Sequence, residues 1–193
     1  MAREWNYGAR IVACAVALAW AWPRLLPLRG PGSTVHAITV GIITGLIGWT
    51  AWLLLLTPLA GDGAPWALSE WAMRTTAAVL IVPIFEEQFM RGYVLRLGTQ
   101  WGETKNFDEA FEKRSVHDVA PGALNVYGVV LSTALFTAGH ALVEWPAAIV
   151  YGLLMCFVYR QRRDLLTLII AHATTNLTLA LYVYTTGEWG LWG

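Results

Sequence analysis

Glu86, Glu87 and Arg91 sit inside an apolar run that extends from Val79 to Tyr93. Ionisable side chains near the centre of a bilayer cost about 2.5–3.5 kcal/mol each on insertion scales. A helix carrying three of them within six residues must turn that face into the interior of a bundle, where other helices supply partners. A lone membrane anchor is thereby excluded, and the site is a functional candidate by position alone. Composition agrees. The chain of 193 residues is 56% hydrophobic and 13% charged, against about 25% charged in soluble domains. Its apolar residues come in long blocks without amphipathic spacing. The expected fold is all-α, a polytopic transmembrane helical bundle of about six helices. Formal net charge is zero, so nothing points to nucleic acid.

Five blocks, counted as the second to the sixth, read as spans: about Val35 to Leu59, Thr75 to Leu97, Leu124 to Val143, Trp145 to Tyr159, and Leu165 to Tyr184. A shorter stretch, Ile11 to Trp22, precedes them. It reads as a short first span with Arg10 and Arg24 snorkelling, as an interfacial helix, or as a signal peptide with Ala19, Trp20 and Ala21 at a cleavage site. Gly41, Gly45 and Gly48 recur at helical spacing, as do Ala148 and Gly152. That pattern lets helices approach closely. Pro83, about one turn before Glu86, predicts a local opening or kink. Between the third and fourth blocks, Phe107, Ala110 and Phe111 predict a short helix at the membrane surface. Cys14 and Cys156 lie in apolar runs and read as small buried hydrophobes. The division is an N-terminal pair of helices (1–71), a catalytic core (72–185) and a short tail (186–193), within one compact domain.

Basic residues set the orientation. Arg24, Arg29, Arg96, Lys105, Lys113, Arg114, Arg160, Arg162 and Arg163 share one side if the block from Val35 enters from the cytoplasm. Arg74 lies opposite. The glutamate helix then runs from outside to inside, and the C-terminus is extracytoplasmic.

Glu87 and Arg91 are four residues apart and face each other on a helix. Glu86 points about 100° away, toward Phe89 and Met90 neighbours that offer no charge. Spacing therefore assigns Glu87 with Arg91 to structure and Glu86 to chemistry. The fourth block supplies Thr133, Phe136, Thr137 and His140 on one face. The sixth supplies His172 and Asn176, four apart. A carboxylate, two imidazoles and a carboxamide from separate spans can converge on a water, activate it and hold an oxyanion.

Glu86, Glu87 and Arg91, then Phe136 and His140, then His172 and Asn176 form three motifs that resemble those of the CPBP family of intramembrane proteases. That family includes the CAAX prenyl endopeptidases and bacterial members linked to bacteriocin processing and immunity. The resemblance covers about residues 72–185. It implies a glutamic-type endopeptidase in which Glu86 and His140 activate water. His172 and Asn176 would stabilise the oxyanion, and Glu87 and Arg91 would support the site. No cofactor is implied. The chain has fewer spans than the eight usual in eukaryotic-type members. Its compact size is similar to bacterial members of C-terminal sorting systems. The implied partners are the bilayer and a membrane-anchored or lipidated protein, such as a C-terminal sorting tail. The implied location is the bacterial cytoplasmic membrane.

Two other chemistries stay open on the residues alone. Glu86, His140 and His172 form the two-His, one-carboxylate set of catalytic zinc sites. Buried Glu, Arg and His also line proton and ion pathways, or stabilise a non-proteolytic scaffold or immunity factor.

Overall fold

Three of the helices start where a polar side chain caps free backbone amides. Ser33 accepts from the His36 amide, Asn125 from Gly128 and Asp164 from Thr167, at 3.2, 3.1 and 2.7 Å. Lys105, Arg163 and Gly187 adopt left-handed backbone where helices stop. The computed structural model describes residues 2–106 and 108–192, with side chains from residue 8 onward except that of Arg10. Phe107 and the Arg10 side chain therefore lie outside the described residues.

Among the described residues all regular structure is helical. The elements are α1 (Ala2–Ala21), α2 (Thr34–Leu56), α3 (Leu68–Leu80), α4 (Val82–Glu87), a π-helical turn (Gln88–Val94), α5 (Leu95–Thr104), α6 (Val126–Ala138), α7 (Trp145–Arg162) and α8 (Leu165–Thr186). Helical structure over Leu68–Thr104, α2, α8 and Leu142–Arg162 is long and apolar enough to cross a membrane. The fold is a helical membrane bundle. Two expectations change in extent. The stretch expected from Ile11 is the C-terminal half of a helix that begins at Ala2. The fourth block, expected to run to Val143, closes at Ala138, because Gly139 and His140 turn the chain over the last carbonyls of α6. At 13 residues, α6 is too short to cross alone.

The predicted surface helix is a single π-type turn, Glu109–Lys113, strapped to α5 by two buried polar side chains. Gln100 donates to the carbonyls of Ala110 and Arg114, and Arg96 to those of His117 and Val119.

The glycine stripe of α2 seats α8. A Cβ on Gly45 would fall 2.5 Å from the Ala171 carbonyl oxygen and from Thr174 Cβ, and one on Gly41 would fall 2.8 Å from Ile170. The close approach lets Thr175 Oγ1 donate to the Gly45 carbonyl at 2.8 Å. Gly48 continues the stripe against Tyr151 and Thr175. The two ends of the bundle differ. At one, the segment after α1 meets the α7–α8 turn, where Leu165 and Leu166 donate to the Leu28 carbonyl. At the other, Gly63 packs on Trp189 and Gly190, and Trp71 donates to the Ala180 carbonyl.

Gly45→Ala should destabilise the protein by about 1–3 kcal/mol through overpacking. Gly61→Ala, with nothing within 4 Å of an added Cβ, should stay within about 0.5 kcal/mol of the parent. Denaturant unfolding in detergent micelles measures both; equal effects would remove the α2–α8 seat as a determinant of stability.

Candidate active site

The helix that carries the glutamates is interrupted twice around them. It breaks at Ile81 (φ −108°, ψ −52°), just before Pro83 in the first turn of α4. Immediately after Glu87 it widens into the π-turn, where the Leu95 amide donates to the Met90 carbonyl, five residues back. Pro83 announces the first interruption. Nothing local in the sequence announces the second, and π-turns are frequent at functional sites.

Glu87 and Arg91 are both fully buried and paired as the spacing predicts, Oε1 to Nη1 at 3.2 Å. Arg91 also donates to the Gly152 carbonyl at 3.3 Å, and its guanidinium lies 5.1 Å from the centre of the Phe136 ring. The same Glu87 oxygen meets His172 Nδ1 at 2.9 Å. A carboxylate only accepts, so Nδ1 carries the hydrogen, and in a neutral ring the lone pair lies on Nε2. That nitrogen is 3.9 Å from Glu86 Oε2, beyond hydrogen-bond reach but in direct neighbourhood. The Glu86 side chain keeps 30% of its exposure. The imidazole beside Glu86 is thus His172, whereas the sequence reading paired Glu86 with His140. The reason is the Glu87 contact, which ties α8 to α4 and which no spacing within either helix encodes.

His140 sits in the turn beyond α6 instead of within a span. Its Nδ1 bonds the Phe136 carbonyl at 2.8 Å, so here too the lone pair of the neutral ring lies on Nε2. Its own carbonyl accepts from Trp145 Nε1 at 3.2 Å. Asn176 donates from Nδ2 to the Ala78 carbonyl at 2.7 Å, five residues before Pro83. His140, His172 and Asn176 line one cavity of about 380 Å³. Among the described residues no ion pair joins His140 to Glu86.

Aromatic side chains position the two imidazoles. The Phe136 ring centre is 4.6 Å from His140 and 6.2 Å from His172, Trp52 is 5.4 Å from His140, and Tyr151 is 5.7 Å from His172. The sequence reading missed Trp52 and Tyr151. Trp52 was within reach, because it continues the Gly41, Gly45 and Gly48 face one turn further. Arg74 and Trp192, stacked at 4.8 Å, line the same cavity together with Glu144.

A zinc site would need Glu86, His140 and His172 to converge. Among the described residues no group of three His, Cys, Asp or Glu side chains is placed to hold a metal ion. Nδ1 of each histidine is engaged and Nε2 is left free, as in metal-ligating imidazoles, so the misfit lies in the spacing of the three side chains alone.

A family model described as type II CAAX prenyl endopeptidase Rce1-like matches residues 68–178, more than half of the chain. The chain belongs to the Rce1-like family. No curated protein and no solved structure gives a match. The Rce1-like match starts at the first residue of α3 and ends in α8, so it contains all six candidate residues. Membership makes the chain an integral membrane protein of a CAAX endopeptidase family.

The two glutamates should separate in a stability assay. Glu87→Gln leaves Arg91 buried without its counter-ion and should cost about 3–5 kcal/mol. Glu86→Gln, at a partly exposed side chain, should change stability by less than about 1 kcal/mol. Unfolding midpoints of the two purified variants check this, and equal losses would overturn the division.

Proposed function

We propose that this protein hydrolyses a peptide bond of a membrane-anchored or lipidated protein, with a water activated by Glu86 as the nucleophile and no metal ion. The observation that carries this reading is the gathering of His140, His172 and Asn176 on one cavity, with Glu86 beside His172. His140 follows α6, His172 and Asn176 lie on α8, and Glu86 on α4 approaches His172 Nε2. Glu86 takes a proton from water as the water oxygen bonds to the carbonyl carbon. The carbonyl oxygen becomes an oxyanion, for which the Asn176 N–H not bonded to Ala78 is a donor. The proton then passes to the amide nitrogen as the carbon–nitrogen bond breaks. His172 has two states to offer. Neutral, it presents a lone pair toward Glu86; charged, it donates to Glu87 with one nitrogen and to the oxyanion with the other. His140 presents its Nε2 lone pair at the same cavity as a second proton acceptor.

The favoured substrate is a membrane-anchored tail, as in C-terminal sorting. The favoured setting is the bacterial cytoplasmic membrane, with the C-terminus outside. The clustering of basic residues at the opposite end of the bundle supports that orientation.

Glu86→Gln should lower cleavage of a membrane-anchored reporter by about 10²–10⁴-fold, and Asn176→Ala by about 10²–10³-fold. His140→Ala should also abolish most turnover. Folding and membrane abundance are monitored alongside. Full cleavage by folded Glu86→Gln would sink the proposal. Dialysis against a strong chelator, with metal content assayed, should leave activity unchanged; loss restored by zinc would reverse the metal-independent assignment.

A further inference from the structure

The far end of α7 from the reactive cavity borders a second cavity, polar and about 540 Å³ in volume, between the ends of α5, α6 and α7. Arg160 and Arg163 are on its wall, with Thr99 and Asn125 opposite. The arginines at this turn divide by partner. Arg162 lies 3.5 Å from Asp164 and 3.1 Å from His36 Nδ1 and donates to Thr167. Arg160 and Arg163, on either side of it, are exposed and have no hydrogen-bond or ion-pair partner among the described residues. The carboxylate on the wall, Glu103, is bound to Arg114 at 3.1 Å. The cavity therefore keeps two uncompensated positive charges.

Its construction holds one of them in place. Gly122, at φ +78°, passes over the Arg163 stem, and a Cβ there would fall 2.7 Å from Arg163 Cγ. The N-terminus of α6 borders the same space and adds the positive end of its dipole. Apolar surface leads away from the charges. Leu153 and Phe157, 46% and 61% exposed, are stacked on α7 and lead to Arg160 and Gln161 at helical spacing. Trp101 and Tyr127, rings 5.7 Å apart and partly exposed, stand beside the cavity as an interfacial pair.

We propose that this cavity binds the phosphate of an anionic phospholipid headgroup, with Arg160 and Arg163 as its cationic ligands and the Leu153–Phe157 face as the bed of an acyl chain. Basic cavities between membrane helices at the headgroup level take such lipids. A free phosphate would satisfy the arginines but leave the apolar face unused, and the lipid satisfies both.

The test uses the full-length protein in detergent, titrated separately with phosphatidylglycerol, phosphatidylcholine and inorganic phosphate, with bound species counted by native mass spectrometry. Phosphatidylglycerol should bind the parent in preference to the other two. Arg160→Gln with Arg163→Gln should weaken it roughly twenty-five-fold, at about five-fold per arginine. The double lysine replacement should retain most of the binding. Arg29→Gln, at an exposed arginine outside the cavity, should leave it unchanged. Equal phosphatidylglycerol binding by parent and double glutamine variant would overturn the site. Equal binding of phosphatidylcholine, or of inorganic phosphate at the same concentration, would overturn the lipid assignment.

Discussion

The buried ion pair of Glu87 and Arg91 is the contact on which the rest of the interior depends. Neither residue has any exposure, and each reaches a second helix. Arg91 bonds the Gly152 carbonyl of α7, and Glu87 bonds His172 of α8. Two charges removed from water are expensive, and their mutual attraction repays the cost only when further hydrogen bonds complete both groups. Here those completing bonds are also the ones that fix α7 and α8 against the glutamate helix. The pair does more than neutralise itself. It selects the arrangement in which His172 sits between two carboxylates.

Charge bookkeeping explains why the cluster suits proton transfer. Glu86 and Glu87 face one guanidinium, which leaves one negative charge for the His172–Glu86 neighbourhood to accommodate. Glu87 spends itself on Arg91 and on His172 Nδ1. Glu86 is held less tightly, because the His172 ring nitrogen beside it is 3.9 Å away and it retains access to solvent. Holding one carboxylate rigid and leaving the other loose gives a fixed imidazole beside a mobile proton acceptor. That division follows from which carboxylate the arginine reaches, a consequence of four-residue spacing on a helix.

What could be read from the chain alone follows the range of each interaction. The Glu87–Arg91 pair and the shared face of His172 and Asn176 are local, and both were legible from spacing. The glycines of α2 were legible as a surface for close approach, but the identity of the opposing helix was not. The contact between Glu87 and His172 spans most of the core in sequence, so either histidine was equally compatible with Glu86 until the helices were placed. The end of α6 was misjudged because Ala141 to Val143 continues the apolar run, whereas Gly139 and the His140 ring had already closed the helix over the Phe136 carbonyl. The π-turn after Glu87 leaves no compositional mark at all.

Asn176 shows how the irregular backbone and the reactive groups depend on one another. The break at Ile81 leaves the Ala78 carbonyl at a point where the helix is not continuous, and Asn176 Nδ2 bonds it at 2.7 Å. An unpaired carbonyl in an apolar bundle is costly, so this bond holds the side chain in one orientation. A carboxamide has two N–H groups, and only one is needed for the backbone. The remaining N–H is carried on a group whose rotation is already fixed, on the wall that His140 and His172 share. A carboxylate at this position could not donate to Ala78, and a hydroxyl would have a single hydrogen for two acceptors. One bond, from Asn176 to the Ala78 carbonyl, therefore joins the helix segment ahead of the break to the wall that carries His172.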